Sequence, residues 1–148
     1  MIEIKRRNID DPDFSSLVKQ LDQYLKMIDG EDNEFYTRFN STLDLSYVLV
    51  AYDDAIPVGC GALKNHSMDS IEIKRMYVPQ NFRKKGIASL ILHELEKWSA
   101  ELGFIRCVLE TGKQQNEAVN LYKKHNYNII ENYGPYKGVS NSICFEKK

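Results

Sequence analysis

The stretch from Ile71 to Leu102 restricts the fold more than any other, because it joins a strand, a basic glycine-bearing turn and a regular amphipathic helix. Ile71 to Val78 is rich in β-branched and aromatic residues, and Pro79 ends the strand by removing a backbone donor and fixing φ. Downstream, Ile87, Leu90, Ile91, Leu95, Trp98 and Leu102 recur at spacings of three and four, an apolar stripe that leaves out His93, Glu96, Lys97 and Glu101. Ile105 to Glu110 then reads as another strand. Strand, helix and strand in succession predict a parallel pair joined by a right-handed crossover.

Between strand and helix lies Arg83-Lys84-Lys85-Gly86-Ile87-Ala88. The first four N–H groups of a helix lack intrahelical partners and carry about half a positive charge, so a helix start attracts phosphate. Gly86 and the small Ala88 let a ligand approach that backbone, and the three cations add charge. A phosphate or pyrophosphate is the implied ligand, with a solvated basic loop as the alternative on spacing alone. Neither G-x-x-x-x-G-K-[S/T] nor G-x-G-x-x-G occurs, which argues against a nucleotide hydrolase or a Rossmann dehydrogenase.

Around this unit the chain predicts a single domain over residues 1–148. Ile2 to Ile9 reads as a first strand. Asp10-Asp11-Pro12-Asp13 starts a helix whose stripe is Phe14, Leu17, Val18, Leu21, Leu25 and Ile28, and Gly30 stops it. A short second helix is expected from Glu31 through Phe39. Tyr47 to Ala51 and Val58 to Leu63 read as strands around a hairpin turn at Asp53-Asp54, and a polar turn from His66 to Ser70 leads into Ile71. Asn116 to His125 forms a last helix, broken by Asn126-Tyr127-Asn128, and Ile129-Ile130 and Ser142 to Phe145 close the sheet. The expected class is α+β: a strongly twisted mixed sheet of about six to seven strands, mostly antiparallel with a central parallel pair, and about four flanking helices.

Of the 148 residues 43% are hydrophobic and 28% charged, and the net charge is −1, so basic charge is local and a general nucleic-acid footprint is absent. No apolar run approaches the ~20 residues of a membrane span, and Met1 to Arg7 lacks the apolar core of a signal peptide, so a cytoplasmic location is expected. Cys60, Cys107 and Cys144 are widely spaced among apolar or β-prone neighbours and read as buried free thiols. The scattered His66, His93 and His125 suggest no metal site.

The order strand, Val78-Pro79, Arg83-x-x-Gly86-x-Ala88 and long helix resembles the acetyl-coenzyme A signature (Q/R-x-x-G-x-G/A) of the GNAT N-acetyltransferase superfamily. The resemblance continues through Leu109-Glu110-Thr111, Asn116-Glu117-Ala118 and Leu121-Tyr122, and covers most of Tyr47 to Glu146. It implies an enzyme that moves an acetyl group directly from the coenzyme thioester to a primary amine. The amine must then lose a proton, the oxyanion needs donors, and the departing thiolate needs a proton.

For proton removal the resemblance points to Glu72, fourteen residues ahead of Gly86, where the histone-acetylating branch carries its general base. A charge balanced by Lys74 on the same strand face is the competing reading; a water chain, which many family members use instead, and Glu110 in the neighbouring strand are the alternatives for the base. Tyr122 matches the tyrosine that family members place near the coenzyme sulfur, and core packing beside Ala118 is its alternative role. Met76, Tyr77 and Val78 match the backbone cradle at a bulge in the fourth strand. The coenzyme turn comprises Arg83, Lys84, Lys85, Gly86, Ile87, Ala88 and Ser89, and Asn116 matches a coenzyme-contacting asparagine. The acceptor end falls to Tyr24, Glu31, Glu34, Tyr133 and Tyr136: the acidic loop could draw a cationic amine or simply cap a helix, and the tyrosines favour a small-molecule acceptor. Alternatives are a protein or peptide N-acetyltransferase and a non-catalytic acyl-coenzyme A sensor. No metal, nucleic-acid or membrane partner is expected, and a homodimer is left open.

Overall fold

The structure, a computed structural model, describes residues 1–30 and 45–148. The helix expected from Glu31 through Phe39, and the acceptor candidates Glu31 and Glu34, lie outside the described residues.

Among the described residues seven strands form one sheet in the order β1-β2-β3-β4-β5-β7-β6. They are β1 (Ile2–Arg7), β2 (Tyr47–Asp53), β3 (Ile56–Asn65), β4 (Ser70–Tyr77), β5 (Arg106–Gly112), β6 (Asn128–Ile130) and β7 (Ser142–Lys147). Every pairing is antiparallel except β4 with β5, so the mixed sheet with a central parallel pair stands. The β2–β3 hairpin turns through Asp54 and Ala55, at φ 49° and 75°. Two positive φ values in a two-residue connection match the strand twist, a geometry that Asp53-Asp54 does not announce.

Among the described residues there are three α-helices: α1 (Pro12–Asp29), α2 (Ile87–Glu101) and α3 (Asn116–Lys124). Asp11 caps α1 by accepting from the Phe14 N–H at 3.1 Å, with Pro12 at the first position, where no donor is missed. The buried side of α1, Phe14, Leu17 and Val18, packs with Val48, Val50, Cys60 and Ala62 on one face of the sheet. On the other face Ile87, Ile91, Leu92 and Leu95 of α2 meet Leu49, Val58, Leu63, Ile71, Ile73 and Leu109.

The apolar stripe of α2 needs one correction. Leu90 and Leu102 are 45% and 38% exposed, whereas Leu92 is fully buried. The helix sits so close to the sheet that a narrower arc is covered. A Cβ on Gly59 would come within 2.7 Å of Ile91 Cδ1, and one on Gly61 within 2.8 Å of Leu95 Cδ1. These glycines let α2 settle onto β3, which rotates Leu92 inward and Leu90 onto the shoulder. Across the sheet edge, Arg6 holds Glu101 at 2.9 and 3.0 Å and Glu94 at 3.0 Å.

Candidate active site

The site begins where the parallel pair stops. Strands β4 and β5 are in register only at Ser70–Arg106, Ile71–Cys107 and Glu72–Val108, although β4 continues to Tyr77 and β5 to Gly112. Beyond Glu72 they part. A bulge helps turn β4 away: its register against β3 shifts between Cys60 and Ala62, so Arg75 and Met76 stand opposite Gly61, and Arg75 has φ 56°. An extra residue in one strand bends it and increases its twist, which opens the sheet into a cleft. The expected bulge is present, one residue earlier than the cradle Met76-Tyr77-Val78 would place it.

Two cavities occupy the opening, and they share Leu21, Met76, Gln115, Ala118 and Tyr122. The larger, about 280 Å³, reaches the start of α2 and is lined by Tyr24, Tyr77, Val78, Arg83, Lys84, Gly86, Ile87, Ala88 and Ser89 among others. Gly86 caps α2 at φ 78°, with no atom within 4 Å of where a Cβ would stand. Only glycine adopts that conformation without strain, and the open space above it gives a ligand direct access to the first N–H groups of α2. The donor set therefore fits a diphosphate: a helix start, a bare glycine and Lys84 beside it.

The three cations of the turn are not equivalent. Arg83 folds back, its Nε donating to the Val78 carbonyl at 2.7 Å and its guanidinium lying 4.8 Å from the Tyr24 ring centroid and 3.4 Å from Glu117. It braces the turn against α1 and α3 while still lining the cavity. Lys84 also lines it, and Lys85 does not; its ammonium lies 5.9 Å from the Phe82 ring. Asn116 is exposed at the first position of α3 and lines neither cavity, whereas its neighbour Gln115 lines both. Ser89 is bound to His125 Nε2 at 2.8 Å, which ties α2 to the end of α3.

The smaller cavity, about 90 Å³, lies on the other side of Tyr122 and is lined by Ile73, Lys74, Arg75, Glu110, Thr111 and the α1 residues Leu21 and Leu25 among others. Tyr122 is thus the hinge point between the two spaces. It is buried against Phe145 and Tyr127, and burial, reinforced by Glu110, pushes its phenol above the ordinary tyrosine value. A phenol so placed stays protonated at neutral pH.

Ile71 and Ile73 enter the core under α2, so Glu72 and Lys74 face the α1 side. Both are buried. Glu72 accepts from the Tyr133 hydroxyl at 2.8 Å, and Lys74 donates to the Tyr136 hydroxyl at 3.3 Å. Desolvation holds the Lys74 ammonium below its usual value, with Glu72 partly opposing that fall. Tyr133 and Tyr136, at a 3₁₀ turn over Gly134–Tyr136, are thereby tied to β4, but neither lines either cavity. Glu72 does not line either cavity, whereas Glu110 lines the smaller one together with Tyr122. Sequence reading missed Arg75, Gln115 and Thr111. Gln115 had a visible signal as the residue just before a helix, while nothing in the letters places a left-handed bulge at Arg75.

A sequence profile described as the Acetyltransferase (GNAT) family matches residues 8–127. The chain belongs to the GNAT acetyltransferase family. It is accordingly a transferase of the acyltransferase class, and the family's acyl donor is acetyl-coenzyme A. An "IAA acetyltransferase" of Azospirillum brasilense is 30% identical over 139 residues, 88% of this acetyltransferase and 87% of that protein. A candidate acyl-CoA N-acyltransferase from Klebsiella pneumoniae superposes with a TM-score of 0.83 at 24% identity, over 99% of this chain and 97% of that one. The PaiA N-acetyltransferase of Thermoplasma acidophilum, solved in complex with coenzyme A, gives a TM-score of 0.76 at 23% identity, over 100% of this chain and 99% of that one. All three cysteines are buried and free. Among the described residues no helix is long and apolar enough to cross a membrane, and no group of three His, Cys, Asp or Glu side chains is arranged to hold a metal ion.

Proposed function

We propose that this acetyltransferase moves an acetyl group directly from acetyl-coenzyme A to the amine of a small molecule, with the coenzyme along the larger cavity and the acceptor in the smaller one. The observation that carries this reading is the meeting of the two cavities at Tyr122. The coenzyme supplies an activated acetyl thioester. The start of α2, with Gly86, Ile87, Ala88, Ser89 and Lys84, would hold the diphosphate, while backbone groups at Met76 to Val78 would orient the arm and supply donors to the oxyanion.

In the transfer a nitrogen–carbon bond forms and the carbon–sulfur bond breaks. The amine proton passes to a carboxylate, and the sulfur receives the Tyr122 hydroxyl proton. Two carboxylates compete for the first role. Glu72 has the offset that the family resemblance suggests, but its oxygen is engaged by Tyr133. Glu110 lines the proposed acceptor cavity together with Tyr122, which supports Glu110 as the base and leaves Glu72 the task of anchoring Tyr133. The small volume and the side-chain walls of that cavity favour a small acceptor over a protein tail.

Release of free thiol from acetyl-coenzyme A with a panel of small amines, read beside calorimetric titration of coenzyme A, tests the proposal. Amine-dependent release is expected. Tight coenzyme binding with no transfer to any amine would instead support an acyl-coenzyme A sensor.

A further inference from the structure

The acceptor cavity contains a buried cation that the transfer chemistry does not use. The Arg75 side chain is 2% exposed, and its Nη2 is paired with Asp22 of α1, whose own side chain is 60% exposed. Its Nε and Nη1 are buried and have no hydrogen-bond partner among the described residues. A guanidinium presents its donors as a planar fork suited to a carboxylate, and leaving buried donors unmade is costly. Arg75 also holds φ 56°, a conformation that a non-glycine residue adopts with strain. The bulge that accompanies this φ places Arg75 and Met76 side by side at the cavity wall. The buried Lys74 lines the same cavity, as does Glu110, and Leu21, Leu25 and Ile73 supply apolar surface.

We propose that Arg75 is a specificity determinant that receives a carboxylate on the acceptor, making the preferred substrate a small amino acid-like amine with an apolar side chain. The inference rests on the reading of the smaller cavity as the acceptor site. The positive wall takes the carboxylate and Glu110 faces the amine. This reverses the suggestion, from the acidic stretch Asp29 to Glu34, that the acceptor is simply a cation. Desolvated charge pairs of this kind discriminate strongly, because an analogue lacking the carboxylate leaves the buried donors unmet.

The test uses three related probes: leucine, its carboxamide, and the corresponding amine without the carboxyl group. Binding is measured by calorimetry in the presence of coenzyme A, and acetylation by mass spectrometry. The wild-type chain is expected to bind leucine at least tenfold more tightly than either analogue. Arg75→Gln should abolish that preference while leaving coenzyme A affinity intact, and Arg75→Lys should restore part of it. Equal or weaker binding of leucine relative to the neutral probes in the wild type would overturn the proposal, as would a preference that survives in Arg75→Gln. Should Arg75→Gln fail to fold, Asp22→Asn provides the second reading: freeing the guanidinium should strengthen the leucine preference, and an unchanged preference would count against Arg75. Carboxylate-selective binding without acetylation would sink the transferase reading and leave this anion site standing.

Discussion

The two halves of the cleft are built by different means. Around the start of α2 the cleft is built from main-chain geometry: helix N–H groups, a glycine at φ 78° and the parted end of β4, with side chains such as Arg83 turned back to brace the loop. Around the bulge of β4 the structure instead gathers side chains: buried Glu72, Lys74 and Tyr136 with partly buried Tyr133, joined in pairs, and buried Arg75 paired with Asp22. A coenzyme common to a whole family can be met by backbone, which varies little with sequence. An acceptor peculiar to one member must be met by side chains, which can change without disturbing the sheet.

The junction between the halves should be the most sensitive point. Tyr122→Phe is expected to lower kcat roughly a hundredfold to ten-thousandfold, the usual range for losing a positioned acid, with little change in coenzyme affinity. Steady-state kinetics with a fixed amine would show it, and an unaltered kcat would reduce Tyr122 to a packing residue. The two carboxylates should then separate. Glu110→Gln is expected to cost on the order of a hundredfold in kcat, and Glu72→Gln to act mainly on the KM of the acceptor by loosening Tyr133; the opposite pattern would return the base role to Glu72.

On the coenzyme side, Gly86→Ala places a Cβ on a left-handed residue, which costs roughly 1–2 kcal/mol. Coenzyme A should bind about tenfold more weakly by calorimetry, and wild-type affinity would show that the N–H groups above Gly86 are not used. A further effect, on stability rather than activity, should appear in alkali. Burial pushes Cys60 from 9.0 up to about 12 and Cys144 up to about 11. A pKa raised by folding stabilises the protein fully below the unfolded value and loses that contribution as pH rises through the folded one. The unfolding free energy should therefore hold until about pH 9 and then fall, by at most about 1.4 kcal/mol per pH unit for each thiol, and the melting temperature should follow it. Cys60→Ala should flatten the fall, and an identical slope in that variant would exclude Cys60 as its cause.

Much of the coenzyme half was legible in the sequence because its requirements are local. A strand ended by Pro79, a glycine ahead of a helix and a run of cations are neighbours in the chain, so spacing reveals them. Even there, spacing could not show that Arg83 folds back onto Val78 or that Lys85 turns from the cavity, since both depend on what packs against the loop. The acceptor half was far less readable. Tyr133 meets Glu72 across 61 residues, and Tyr136 meets Lys74 across 62. The offset that selected Glu72 could not reveal that Glu110, on a neighbouring strand, would share the cavity with Tyr122.

By itself, then, the sequence determined the element order, the mixed sheet with its parallel centre and the basic glycine turn that opens α2, because each follows from periodicity, proline and glycine acting over a few residues. Only the tertiary structure decided that Leu92 rather than Leu90 is buried, that β4 and β5 part after Glu72, and that Arg75 enters the cleft. These outcomes arise where distant segments compete for the same space: Gly59 and Gly61 admit α2 to the sheet, and a one-residue bulge re-aims a side chain.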